Sequence, residues 1–132
     1  MISSSGPKTI LVVDDCEGVC EVIEILLTRV GHRVLTATNG SDALEIARLE
    51  PEIDVLLSNL GMPEMRGDEL AAHVATLHPS AAIVFLSSWQ QPIDCASSSD
   101  FLLKPFTVAE LRDSVRHALR TRPTLADAAC AA

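Results

Sequence analysis

Short runs of apolar, often β-branched residues alternate along this chain with longer segments whose apolar residues recur every three or four positions. The first run is "TILVV", and the segment after it repeats apolar residues from Val22 to Val30 before Gly31, a natural helix C-cap. A continuous apolar run is typical of a strand buried on both faces, whereas the longer spacing indicates a helix. Five such runs predict strands at Thr9–Val13, Arg33–Ala37, Ile53–Ser58, Ala81–Ser87 and Phe101–Leu103.

The segments between the strands carry helix start and stop signals. Asn39 or Ser41 could cap the second helix, which Pro51 prevents from extending. Thr107 and Glu110 are spaced as a capping box at the start of the last helix. Strands that alternate with helices predict an α/β fold in which a doubly wound parallel sheet carries helices on both faces.

One connection departs from this pattern. Only residues 88–100, with Pro92 and three consecutive serines, separate the fourth and fifth strands, which is near the minimum for a parallel crossover. Serine and proline are poor helix formers. We therefore predict that the fourth helix is shortened or absent.

Length and charge narrow the class of protein. A chain of 132 residues suits one domain, which we place at residues 8–121, with a flexible N-terminus at 1–7 and a C-terminal tail at 122–132. The formal charge of −8 repels nucleic acid and anionic lipid, so we expect neither as a partner. The sequence contains neither a membrane-length apolar run nor a signal peptide, which predicts a cytoplasmic protein with reduced cysteines.

Polar residues follow the predicted strands at the point where each strand ends. Asp14 and Asp15 follow the first strand, Asn59 the third, Ser87 the fourth and Lys104 the fifth. Ligands of doubly wound sheets collect beyond these carboxyl ends. Paired carboxylates favour a hard cation such as Mg²⁺, while a lysine and a hydroxyl favour a phosphoryl group.

With these residues in place, the sequence resembles the receiver domain of two-component response regulators. The motifs "LVVDD", "SNLGMPEMRG", "FLSS" and "FLLKPF" occur in the expected order, and the resemblance covers roughly residues 8–120. It implies a flavodoxin-like sheet with strand order 2-1-3-4-5 and a cis peptide bond between Lys104 and Pro105. It also implies signal output through the face made by the fourth helix, the fifth strand and the fifth helix.

The resemblance assigns a role to each site residue. Residue 59 takes the position of the phosphoacceptor, and Lys104 and Ser87 contact the phosphoryl group. The other implied roles are an acidic pair (Asp14 and Asp15), an aromatic switch (Phe101) and Mg²⁺ ligands (Asp15, the Gly61 carbonyl and residue 59).

The sequence departs from the family at residue 59, which is asparagine where receivers carry the reactive aspartate. The oxygen of an amide is neutral and its nitrogen lone pair is delocalised, so an aspartyl phosphate cannot form there. The exchange also removes a negative charge, which predicts that Mg²⁺ binds weakly or not at all, although the Asn59 oxygen could still coordinate it.

These features lead to a first hypothesis and two alternatives. The first is a receiver-like signalling protein that is not phosphorylated at Asn59 and contacts a histidine kinase or another signalling protein, or forms a homodimer through the fifth strand and last helix. In the second, Asn59 was engineered into an ordinary phosphoaccepting regulator. The third is a phosphatase-like enzyme that uses Asp14.

Three arginines recur every four residues on the last helix, namely Arg112, Arg116 and Arg120. Such a row is usually a solvated face that complements the helix dipole near its C-terminal end. Docking of a partner protein is the other interpretation of the row.

Overall fold

Strands and helices alternate along the chain as predicted. The protein is described by a computed structural model over residues 7–87 and 100–122. Its elements are β1 (Thr9–Val13), α1 (Glu17–Val30), β2 (Arg33–Ala37), α2 (Gly40–Leu49), β3 (Val55–Asn59), α3 (Gly67–Leu77), β4 (Ala82–Ser87), β5 (Asp100–Leu103) and α4 (Val108–Thr121).

The five strands form one parallel sheet in the order β2-β1-β3-β4-β5, which confirms the predicted flavodoxin-like arrangement. The register pairs Val13 with Ser58, so β1 and β3 end at the same level. Ser87 pairs with Leu103 in the same way at the ends of β4 and β5. The residues that follow these strands therefore meet at one edge of the sheet.

Two apolar layers cover the sheet, one on each face. On the first face, α1 and α4 pack side chains such as Ile23, Leu27 and Leu111 against alternate residues of the strands. On the second face, α2 and α3 contribute side chains such as Leu44 and Leu70. Complete burial of one such side chain stabilises the fold by roughly 1.5–3 kcal/mol, so these layers supply most of the driving force for folding.

Local signals determine where the helices begin and end. Gly31 ends α1 in the left-handed conformation, with φ of 109°. Asn39, rather than Ser41, caps α2, and its side-chain oxygen accepts a hydrogen bond of 2.8 Å from the Asp42 amide. Thr107 and Glu110 form the predicted capping box on α4.

Some predictions concern residues outside the described part of the chain. The shortened fourth helix falls on residues 88–99, and the flexible N-terminus and the tail fall almost entirely on residues 1–6 and 123–132.

The Lys104–Pro105 peptide bond is cis, as the resemblance implied. The third strand runs from Val55 to Asn59, slightly later than the predicted Ile53–Ser58. None of the helices in the described ranges is both long enough and apolar enough to cross a membrane.

Asp54 is a buried carboxylate that ties the end of the last helix to the sheet. Its Oδ2 accepts a hydrogen bond of 2.8 Å from the Thr9 amide, and its Oδ1 lies 2.6 Å from Arg122 Nη1. Arg122, which the sequence analysis placed in the C-terminal tail, is therefore held against the sheet by Asp54. Burial alone would raise the pKa of Asp54, but the bonds from Arg122 and Thr9 outweigh it and lower the pKa below 3.8.

Replacing Arg122 should therefore destabilise the protein. An Arg122→Met change leaves the Asp54 carboxylate buried without its cation, which costs about 3 kcal/mol at neutral pH. In the unaltered chain the lowered pKa of Asp54 gives stability that is present above pH 3.8 and is lost as the pH falls through the folded-state pKa. In the variant, acid unfolding should begin at higher pH. Urea unfolding across the acid range measures both effects.

Arg120→Met is the matched control, because Arg120 is exposed and has no acidic partner among the described residues. Its unfolding free energy should stay within about 0.5 kcal/mol of the unaltered chain. Equal unfolding free energies for the two variants would contradict the proposed anchor.

Candidate functional site

The edge at which the strands end brings four of the predicted site residues together. Lys104, just after β5, donates from Nζ to Asp14 Oδ2 at 2.6 Å and to Asn59 Oδ1 at 3.3 Å. The Asn59 amide nitrogen then donates to Asp15 Oδ1 at 3.0 Å. Four side chains from three strand ends thus form one continuous network.

Asp14 is the buried anchor of this network. Only 1 % of the residue is exposed, and its Oδ1 accepts a hydrogen bond of 2.9 Å from the Cys16 amide while Oδ2 faces Lys104. Cys20 lies beneath it and donates from Sγ to the Asp14 carbonyl at 3.4 Å. Burial raises the pKa of the Cys20 thiol to about 11, so it stays protonated at neutral pH.

Both the oxygen and the nitrogen of the Asn59 carboxamide form hydrogen bonds. Its oxygen accepts from the Lys104 ammonium, and its nitrogen donates to Asp15 Oδ1 and, at 3.3 Å, to the Gly61 carbonyl. In the reverse orientation the ammonium would face another donor and the carboxylate another acceptor. Pairing of donors with acceptors therefore determines the orientation of the amide.

In this structure the Asn59 carboxamide does not turn its oxygen toward the other two implied Mg²⁺ ligands, Asp15 and the Gly61 carbonyl. A metal ligand must offer a lone pair, but the group that faces the Asp15 and Gly61 oxygens is the Asn59 nitrogen, a hydrogen-bond donor. The oxygen of Asn59 faces Lys104 instead. In residues 7–87 and 100–122, no group of three or more His, Cys, Asp or Glu side chains could hold a metal.

The remaining predicted residues lie around this network. Ser87 is buried at the end of β4, and its carbonyl accepts a hydrogen bond of 2.7 Å from the Lys104 amide, which positions the start of the lysine. Phe101 is 48 % exposed on β5, and its ring centroid lies 5.5 Å from that of Phe85. The Phe101 ring therefore packs against the ring of Phe85, its partner on the adjacent strand β4.

Sequence reasoning missed Gly67, which controls the backbone at residue 59. A Cβ atom at Gly67 would lie 2.2 Å from the Asn59 carbonyl oxygen, so no other residue fits without displacing the end of β3. The Gly67 amide also donates to the Leu60 carbonyl at 2.9 Å. Only a glycine at the start of α3 signalled this contact in the sequence.

Sequence comparisons with a family model and with curated proteins agree on what this chain is similar to. Residues 10–116 match the model of the response regulator receiver domain family. The transcriptional regulatory protein ZraR of Klebsiella oxytoca is 34 % identical over 116 residues, which are 83 % of this chain and 26 % of ZraR. The sensor kinase CckA of Brucella abortus is 32 % identical over 122 residues, which are 87 % of this chain and 13 % of CckA. The chain thus spans about a quarter of the first of these curated relatives and about an eighth of the second.

Solved structures show the same architecture. The chemotaxis protein CheY4 of Vibrio cholerae superposes with a TM-score of 0.79 at 26 % identity, over 86 % of this chain and 100 % of that chain. The receiver domain of the hybrid histidine kinase CckA superposes with a TM-score of 0.75 at 31 % identity, over 84 % of this chain and 98 % of that chain. Both likenesses extend over nearly the whole length of the solved domains.

Proposed function

This chain belongs to the response regulator receiver domain family, and we propose that it is a two-component signalling module that acts through protein contacts without accepting a phosphoryl group at residue 59. Receivers carry an aspartate there, which attacks the donor phosphorus as an anion. Asn59 has no anionic oxygen, and its nitrogen lone pair is delocalised, so the pocket positions a phosphoryl group but supplies nothing to attack it.

The contacts of the Asn59 carboxamide carry this proposal. With an aspartate at residue 59, three carboxylates would face the single ammonium of Lys104, and they would require a cation to relieve their repulsion. With asparagine, the amide nitrogen already donates to Asp15 and to the Gly61 carbonyl. The network is satisfied without a metal, and we expect weak or no binding of Mg²⁺.

An exposed apolar surface suits the protein contacts. Phe101 and Leu103 on β5 are 48 % and 51 % exposed, and Val108 at the start of α4 is 47 % exposed. Phe101 and Leu103 lie on an edge strand of the sheet, and Val108 begins the helix that packs against that strand, so the three residues belong to neighbouring elements. A histidine kinase, another signalling protein or a second copy of the chain would dock on this face.

The geometry of Asp14 argues against a phosphatase that uses it as nucleophile. Its two oxygens are engaged by Lys104 and the Cys16 amide, and only 1 % of the residue is exposed. A substrate phosphorus would have to displace the Cys16 amide to approach Oδ1 or the Lys104 ammonium to approach Oδ2. The alternative of an engineered asparagine shares this pocket, and it makes the same prediction for the present chain.

Amide spectra of the ¹⁵N-labelled protein test whether the pocket responds to phosphoryl donors. Neither Mg²⁺ alone nor Mg²⁺ with an acyl phosphate should shift the resonances of Ser87, Phe101 or Lys104, because no covalent adduct forms. The Asn59→Asp variant should show shifts at these residues under the same conditions. Shifts in the unaltered chain that require the phosphodonor would defeat the proposal.

A further inference from the structure

A groove of about 610 Å³ lies between α1 and α4, outside the network around Asn59. Its floor is apolar and its rim is basic. The lining residues are Leu27, Val30, Val115 and Leu119 on the floor, and Lys8, His32, Arg112, Arg116, Arg120 and Arg122 on the rim.

The charge of the groove opposes that of the whole protein. Five of the ten Lys and Arg residues line it, in a chain whose formal charge is −8. Among the residues that the structure describes, no acidic residue lines the groove, although the chain has 18 acidic residues. A local concentration of positive charge on an acidic protein attracts anionic groups to this surface.

Most of the rim cations are available for a partner. Arg122 is committed to Asp54, and exposed Arg116 lies 3.7 Å from Asp113, a contact that contributes little in water. Lys8, Arg112 and Arg120 form no salt bridge with another described residue.

His32 adds a neutral hydrogen-bond donor to the rim. Its Nδ1 accepts a hydrogen bond of 3.2 Å from the Lys8 amide, so in the neutral ring the proton is on Nε2. Burial lowers the pKa of His32 below its usual value, which leaves the ring neutral at pH 7.

We propose that this groove binds an acidic amphipathic helix of a partner protein. Arg112, Arg116 and Arg120 are spaced about 6 Å apart along the axis of α4, and the row extends over about 12 Å. Carboxylates four residues apart on a partner helix have the same spacing, and the apolar face of that helix would cover Val30 and Leu119. A single phosphate group would instead need cations that converge on one point.

The groove and the carboxamide network share no residue, and the groove includes residues from the opposite end of the sheet. Lys8 precedes β1 and His32 precedes β2, whereas the network lies where the strands end. Binding of a helix here therefore requires no chemistry at residue 59. An experiment can therefore refute the proposal that the groove binds a helix without refuting the proposed function, and the reverse is also true.

Fluorescence anisotropy with a labelled peptide tests the groove. The probe is a designed helix with leucines at i, i+3, i+4 and i+7 flanked by glutamates, and its matched control carries glutamines instead. At low salt the glutamate peptide should bind, with about a tenfold loss of affinity for the Arg116→Glu/Arg120→Glu variant. Val30→Glu, which places a carboxylate on the exposed part of the floor, should weaken binding to a similar extent.

Arg48→Glu is the control variant, because Arg48 is an exposed arginine on α2, away from the groove. It should bind the peptide as the unaltered chain does. Three results would overturn the proposal: no binding of the peptide to the full chain, equal binding of the glutamine peptide, or equal weakening by Arg48→Glu. Complete displacement of the peptide by inorganic phosphate or by duplex DNA would assign the groove to another class of ligand and would also overturn it.

Discussion

Incubation with an acyl phosphate and Mg²⁺ should add no phosphoryl mass to the unaltered chain, whereas the Asn59→Asp variant should gain a single phosphoryl group. The backbone at residue 59 and the contact from Lys104 are already in place, so the exchange restores the missing anionic nucleophile. It also removes the donor that faces Asp15 and Gly61, which frees their oxygens for a cation. Intact-mass spectrometry measures the outcome directly.

Two controls isolate the role of the new carboxylate. Asn59→Ala should remain unmodified, because it opens the pocket without supplying a nucleophile. Asn59→Asp/Lys104→Met should be modified more slowly than Asn59→Asp, because the ammonium that stabilises the phosphoryl oxygens is gone. An acid-labile phosphoryl adduct on the unaltered chain would show that the chain still accepts a phosphoryl group and would refute the proposal that it acts without one.

Replacement of Lys104 should give the largest loss of stability among substitutions in the network. Lys104→Met leaves the Asp14 carboxylate, which is 1 % exposed, without the cation 2.6 Å away. A buried charge that loses its partner costs about 3–5 kcal/mol, and the 21 % exposure of the Lys104 side chain places the expected loss near the lower value. Urea unfolding at pH 7 measures this loss.

The double variant Asp14→Asn/Lys104→Met separates loss of the ion pair from damage to packing. Removing both charges should recover part of the stability that Lys104→Met loses, because no carboxylate is then buried alone. Arg112→Met, an exposed change on α4, should alter the unfolding free energy by less than about 0.5 kcal/mol. If the double variant is no more stable than Lys104→Met, the buried charge is not the cause of the loss.

Local interactions made much of the fold predictable. The strands, the C-cap at Gly31 and the capping box at Thr107 and Glu110 depend on residues that are close in sequence. The meeting of Asp14, Asn59 and Lys104 also followed from the sequence, since parallel strands end at the same edge. The strand order came from the resemblance to receivers, because periodicity alone does not determine which strands are neighbours.

Other contacts between distant residues were not predictable, because no strand-end rule brings them together. Asp54 and Arg122 are 68 residues apart, and the sequence marked neither as a partner of the other. The direction of the Asn59 amide depends on which atoms of Lys104 and Asp15 face it, which no spacing rule encodes. The steric fit of Gly67 against the Asn59 carbonyl likewise exists only after α3 has packed beside β3.

The close contact between Gly67 and the Asn59 carbonyl affects which substitutions residue 59 can accept. Gly67 lies against the main-chain carbonyl of residue 59, so this contact is the same whether the side chain there is an amide or an acid. Asparagine and aspartate codons differ by one base. A single base change would thus supply the carboxylate that Asn59 lacks, and the main-chain contact with Gly67 would be unchanged.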